Sequence, residues 1–403
     1  MRPAMIPIEP CPHRPPCPGC PRYGEPGVAG EALGRLARIA DAAGCSPPGV
    51  LGGASFGFRV RARLMVRGRA GSPKIGIFQA GSHRIVDIPR CRVHHPRINE
   101  VAAAARAAIR ATGTRPYADR PHAGDLRAIQ VVVERSSGAA QVVLVGRAPE
   151  PAPLAPLADA LARALGPRLH SLWWNGQPER SNAVLGPLWQ RWRPAPPAAA
   201  SEGFAAGAEH SAPGAVRERI GGVDVFFPPG AFGQSHLDLA DEIVARIHGW
   251  VPAGATVTEF YAGCGPIGLG LLGRCAGVTF VESAPDAVRG LALGLAARPP
   301  AERARARVRE AFAGAAVDAL AGADLVIADP PRKGLDPPLL EALCVAPPAR
   351  LAMLSCHLDS FARDCARLLE AGCWRLTELV ACDLFPNTGH VETLARFDRQ
   401  ESV

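Results

Sequence analysis

The residues that invite chemistry in this chain are a cysteine, a few acids and three glycines, each at the end of an apolar run. In LAMLSCHLDSFARD, Cys356 closes a strand-like run and precedes a helical pattern. A cysteine at a helix N-terminus is expected to have a lowered pKa and to act as a nucleophile. In ADLVIADPPRKGLD, another run ends in Asp329-Pro330-Pro331-Arg332. The two prolines stiffen the backbone and remove N–H donors, which suits a rigid edge lining a flat base. In TEFYAGCGPIGLGLL, Gly263, Gly265 and Gly268 meet the spacing G-x-G-x-x-G. Glycines there let the backbone approach a ligand, and the helix expected to follow offers it an N-terminus. Glu282 ends the next run, VTFVES, where an acid binds ribose hydroxyls. Glu392 stands in an otherwise apolar strand, with His390 nearby.

These residues need elements that bring run ends together. From about residue 216, strand and helix patterns alternate. Candidate strands are 256–262, 278–283, 324–329 and 351–356, with helices between them and two late strands near 374–384 and 390–398. Alternation of this kind implies a doubly wound, mostly parallel sheet, whose ligands sit at the carboxyl ends of the strands. The glycine motif alone fits NAD or FAD as well as other nucleotide cofactors. A domain of this length that closes on two non-alternating strands suits an S-adenosylmethionine (SAM) methyltransferase better.

The rest of the chain reads differently. Residues 1–50 form a cysteine-rich segment, with Cys11, Cys17 and Cys20 spaced C-x5-C-x2-C among prolines and glycines and a helical pattern at 31–43. Residues 51–193 read as an α+β domain with much antiparallel strand, and 194–215 as a Pro/Ala/Gly-rich linker. In FRVRARLMVRGR, Arg59, Arg61 and Arg63 share one face of a strand, which suits either a phosphate backbone or solvent. Residues 1–200 hold 27 Lys+Arg against 12 Asp+Glu, and the remainder 18 against 25. That asymmetry points to a polyanion at the first half. The twelve cysteines, with no secretory signal, favour metal or catalysis over disulfides. No run approaches a membrane span, and the reading is a soluble, cytoplasmic protein.

Together the strings DPPRKGLD, LSC…ARD, DLFPNTGHVE and FYAGCGPIGL resemble the RNA 5-methyluridine (uracil-C5) methyltransferase family, over nearly the whole chain. The resemblance implies a C-terminal Rossmann-like SAM-dependent methyltransferase domain (216–403), an N-terminal metal-cluster segment and an α+β RNA-binding middle domain. It implies Cys356 as the nucleophile that adds to carbon 6 of uracil, and Glu392 as the base that removes the carbon 5 proton. Gln234, Tyr261, Glu282 and Asp329 would contact SAM, beside Gly263 and Gly265 of the turn. Cys11, Cys17 and Cys20 with Cys91 resemble the four cysteines that hold a [4Fe–4S] cluster in the ribosomal RNA members. Four thiolates suit zinc equally well by type. The implied partner is structured RNA, ribosomal in preference to transfer RNA, and the implied state a monomer.

Three departures stand out. His357 follows the nucleophile where the family has Asn, and His236 stands two residues after Gln234 where it also has Asn; both are expected to touch the cofactor or base pocket. Only ten residues precede Cys11, so a small N-terminal β-barrel is expected to be absent. RNA grip then falls to the middle domain, whose Trp173, Trp174, Trp189 and Trp192 read first as core and second as stacking platforms. The competing readings are a cytosine-C5 RNA methyltransferase, whose expected Pro-Cys pair is Ser355-Cys356 here, and a non-catalytic RNA-binding protein with a relic SAM fold.

Overall fold

The computed structural model describes residues 9–192 and 214–400, so most of the expected linker, 194–213, lies outside the described residues. The chain divides into two compact units: residues up to Pro26 with Ser55–Val216, and Gly27–Ala54 with Arg217–Val403.

In the second unit, eight strands form one sheet. From edge to edge they are Gly49–Leu51, Trp374–Cys382, Glu392–Arg399, Arg350–Ser355, Leu325–Ala328, Thr256–Phe260, Gly277–Glu282 and Ala306–Glu310. The last five in that order pair in parallel, and Glu392–Arg399 runs antiparallel to both its neighbours. Strand order reverses between Thr256–Phe260 and Leu325–Ala328, since the chain builds outward from Thr256–Phe260 in one direction and then in the other. A crevice opens at such a switch point, at the carboxyl ends of the strands. The central strand Leu325–Ala328 is apolar on both faces, as helices on either side require, and all four of its residues are buried.

Two expectations are corrected here. Residues 27–54 belong with the second unit and not with the cysteines. Ala32, Leu36 and Ala40, on one stripe of the helix Gly30–Ala42, are buried in the core with Met353, Phe361 and Trp374. Gly49–Leu51 then adds a parallel edge strand to Trp374–Cys382. Burial of an apolar stripe outweighs proximity in sequence to Cys11–Cys20. The second correction is the helix expected after the glycine turn: only the 3₁₀ turn Gly268–Leu271 forms there. Glycine is a poor helix former, and these glycines serve close packing instead. A Cβ on Gly270 would lie 2.6 Å from His248 Cε1.

The first unit is built on a seven-stranded sheet in the order Ile85–Asp87, Ser72–Phe78, Arg61–Arg69, Leu126–Val133, Ala140–Gly146, Leu169–Gly176, Leu188–Trp192. All its pairings are antiparallel except that of Ala140–Gly146 with Leu169–Gly176. Helices Pro96–Thr112 and Ala155–Leu165 pack on it and on each other. The arginine strand is not a free comb of charge. Arg63 Nε donates to Gln130 Oε1 at 2.7 Å. Arg67 pairs with Asp119 and stacks on Tyr117, 4.9 Å from the ring centre. Trp174 is core, and Trp173 and Trp189 pack against the small cluster of Ala128, Val143 and Val145.

Candidate active site

Five neighbouring strands deliver the candidate residues to one edge of the sheet. Asp329 follows Leu325–Ala328 directly, and Cys356 follows Arg350–Ser355. Ser355 is in register with Thr393 on the antiparallel neighbour, so Glu392 and Cys356 end that ladder side by side. Tyr261 follows Thr256–Phe260, and Glu282 ends Gly277–Glu282.

Cys356, Asp329 and Glu392 form an acidic cluster that holds its protons. Burial pushes the Glu392 carboxyl well above the usual range, and Asp329 beside it adds to the shift. Burial likewise raises Asp329, to about 7. The Cys356 thiol is pushed up to about 11, first by burial and then by Glu392 and Asp329, with Arg332 acting in the opposite direction. The lowered pKa expected from a helix N-terminus is therefore corrected. The helix Leu358–Glu370 starts beyond His357, and desolvation with two neighbouring carboxyls outweighs its dipole. Glu392 Oε1 is buried without a hydrogen-bond partner, a costly state that a ligand group would relieve.

The glycine turn is held by acids. Tyr261, Gly263 and Gly265 take left-handed backbone, at φ +58°, +57° and +79°. Glu282 Oε2 accepts the Gly263 N–H at 2.8 Å, while Oε1 accepts those of Ser283 and Ala284 at 2.8 and 2.7 Å. Glu282 is thus first a brace for the turn, and a carboxylate accepting about four hydrogen bonds keeps room for a hydroxyl. Sequence reasoning missed Glu259. Fully buried in Thr256–Phe260, it accepts the Gly268 N–H at 2.9 Å, and burial pushes its carboxyl up to about 8. An acid inside an apolar strand, the same signal that marked Glu392, was there to be read.

A cavity of about 160 Å³ opens beside the turn, lined by Tyr261, Glu282, Ser283, Phe312, Lys333 and Asp336 among others. Gln234 is half-buried in the loop that leads into the helix Leu237–Trp250. His236, expected at the pocket, has a structural role. It caps that helix by accepting the Leu239 N–H at Nδ1, and its Nε2 lies 3.1 Å from the Ala54 carbonyl oxygen. His357 has a buried Nδ1 without a partner. His390 is exposed, its ring edge-on to Phe385.

In the first unit, Cys11, Cys17, Cys20 and Cys91 share one neighbourhood: a charge on Cys20 is felt by the other three, and burial pushes its thiol up to about 11. Arg59 lies beside Cys20 and Cys91, which favour its charge. Among the described residues, no group of three or more His, Cys, Asp and Glu is placed to hold a metal ion. The donor type of these four thiols fits an iron–sulfur cluster and a tetrahedral zinc ion alike.

Among the described residues no helix is long and apolar enough to cross a membrane. No family model matches the chain. The structure of Pyrococcus abyssi tRNA (uracil-54, C5)-methyltransferase in complex with S-adenosyl-L-homocysteine is similar, with a TM-score of 0.72 at 24% identity, over 91% of this chain and 81% of that one. The fold is accordingly the α/β, Rossmann-like methyltransferase fold. An uncharacterized RNA methyltransferase of Protochlamydia amoebophila is 32% identical over 398 residues, 96% of this chain and 97% of its own length. Another, from Gloeobacter violaceus, is 31% identical over 360 residues, 85% and 71% of the two chains. The chain belongs to the RNA methyltransferases.

Proposed function

We propose that this RNA methyltransferase uses SAM to methylate carbon 5 of a uridine, through a covalent bond between Cys356 and carbon 6. The observation that carries the reading is the juxtaposition of a thiol with the buried Glu392 and Asp329 at adjacent strand ends, next to the glycine turn and its cavity. Carbon 5 of uracil is a poor nucleophile. Cys356, once deprotonated, adds to carbon 6 and leaves an enolate that makes carbon 5 nucleophilic. When bound, SAM supplies an electrophilic methyl on a cationic sulfur. Carbon 5 takes that methyl and a neutral sulfide leaves. Glu392, which must first give up the proton that its burial favours, then takes the carbon 5 proton as the carboxylate, the carbon–sulfur bond breaks and the thiolate returns. Arg332, the nearby cation, favours the thiolate. Glu282, Tyr261, Gly263, Gly265, Gln234 and Asp329 are the groups assigned to SAM.

The same reading gives Cys11, Cys17, Cys20 and Cys91 a [4Fe–4S] cluster that orders the N-terminal segment, with zinc as the alternative. It favours ribosomal RNA as substrate, by likeness to the cluster-bearing members; the solved neighbour is named for transfer RNA. The test is incubation with tritiated-methyl SAM and total RNA from a strain lacking this protein, followed by nucleoside analysis and sizing of the labelled RNA. Label in 5-methyluridine supports the reaction. Label in another nucleoside overturns it, and label in 5-methylcytidine selects the cytosine alternative.

A further inference from the structure

The loop that follows Asp329 is held from two sides. On the cavity side, the Asp336 N–H donates to Tyr261 Oη at 2.9 Å, and the Gly314 N–H donates to Asp336 Oδ2 at 3.3 Å. On the other side stands the helix Leu358–Glu370, which begins just after the nucleophile. Asp364 on that helix is completely buried. Its Oδ2 accepts the Leu335 N–H at 2.8 Å. Its Oδ1 accepts Nε and Nη2 of Arg363 at 2.9 and 2.7 Å. The same Nη2 donates to the Lys333 carbonyl at 2.7 Å.

Gly334, between the two held residues, has φ +87°. A Cβ there would fall 2.3 Å from Asp364 Oδ2 and 2.4 Å from Arg363 Nη2. Three consecutive backbone residues are therefore seated directly on a charged pair. Burying a carboxylate is costly, and an apolar side chain would pack as well. What the charge adds is fixed directions: each oxygen has an assigned donor, and the loop has one place to sit.

We infer that Asp364, with Arg363, is a positioning residue that locks the 331–336 loop to the helix following Cys356, and so sets the cofactor cavity in register with the nucleophile. Pro331, Lys333 and Asp336 line the cavity, and Asp329 opens the loop, so a shift of this segment moves both the donor's wall and the acid beside the thiol. Its purpose rests on the proposed reaction, but the geometry makes a claim about SAM binding alone.

The test uses the full chain with Asp364→Ala, Asp364→Asn, Arg363→Ala and Gly334→Ala, each measured for thermal unfolding, for SAM affinity by calorimetry without RNA, and for kcat and KM on RNA. Per folded molecule, Asp364→Ala and Gly334→Ala are expected to weaken SAM binding roughly 5- to 20-fold and lower kcat by roughly 10- to 100-fold. Arg363→Ala should move the same way by a smaller factor. Asp364→Asn keeps an acceptor for Leu335 and should recover most of the affinity. If Asp364→Ala fails to fold, Arg363→Ala carries the test, since the Arg363 side chain is 57% exposed. Wild-type SAM affinity and kcat per folded molecule in Arg363→Ala and in whichever of Asp364→Ala and Gly334→Ala folds, with only the melting temperature lowered, would reduce the pair to a structural tie and overturn the inference. Absence of 5-methyluridine from the wild-type reaction would overturn the proposed function and leave the affinity result to judge the clamp.

Discussion

In the proposed reaction, Cys356 must lose a proton that its surroundings retain. With its thiol near 11, only about one molecule in a thousand carries the thiolate at pH 8. Reaction of Cys356 with iodoacetamide, followed by peptide mass spectrometry, should therefore speed up steadily between pH 7 and 10. Arg332→Ala removes the opposing cation and should slow that reaction about 3- to 10-fold at pH 8. Cys356→Ala should abolish methyl transfer and leave RNA binding within about twofold, because it removes only the covalent step. Glu392→Gln should accumulate an RNA–protein adduct that survives denaturing electrophoresis, since elimination stalls. An active Cys356→Ala variant would sink the mechanism, and absence of the adduct would remove Glu392 from its role. Glu259 makes a separate prediction about stability. Its folded pKa is raised, so the native state holds a proton that the unfolded chain releases, and the stability this contributes is lost as pH rises from about 4.5 to about 8. Glu259→Gln keeps an acceptor for the Gly268 N–H and cannot ionise. Its gain over wild type in urea unfolding should be absent near pH 4 and reach at least the order of 1 kcal/mol by pH 9.

At the scale of elements, the site depends on segments far apart in the chain. The helix Gly30–Ala42 contributes Leu36, which is 0% exposed, to the same core as Phe361 and Trp374. Leu36→Ala should cost about 2–5 kcal/mol, measured by chemical unfolding. That loss should appear in the transition that releases SAM, because the helix supports the sheet whose end carries Cys356. If instead the loss appeared only in a transition that changes the cysteine segment, the division at Pro26 would be wrong. The glycine turn is equally constrained. Gly268 leaves no room for a methyl group, since a Cβ would sit 2.3 Å from Glu259 Oε2 and 2.5 Å from Phe280 Cε1.

For the whole molecule, charge and chemistry divide between two units. The basic excess lies in the first 200 residues and the acidic cluster in the rest. The proposed division of labour, in which one unit grips RNA and the other carries out methyl transfer, follows from that split. Protein purified without oxygen should be brown and carry about four irons per chain, lost when Cys20 and Cys91 are replaced by Ser. Colourless protein with one zinc would select the alternative. RNA affinity should fall steeply with salt, as phosphate contacts by arginines require.

Much of the fold and the placement of the candidate site was legible in the sequence because the candidate residues lie in short strings at element boundaries. Two prolines after an aspartate, a cysteine closing an apolar run and an acid inside a strand each mark their places without any long-range information. The alternation after residue 216 fixed the doubly wound class because periodicity is local. Three things were decided only by tertiary structure. The thiol's acidity depends on burial, then on Glu392 and Asp329, and Glu392 is brought beside it by the pairing of two strands that are not consecutive in the chain. The home of residues 27–54 depends on which core buries Leu36. The second histidine departure, His236, acquires its meaning from the helix it caps and from Ala54, 182 positions away. Burial and electrostatics are sums over neighbours, and the fold assigns those neighbours.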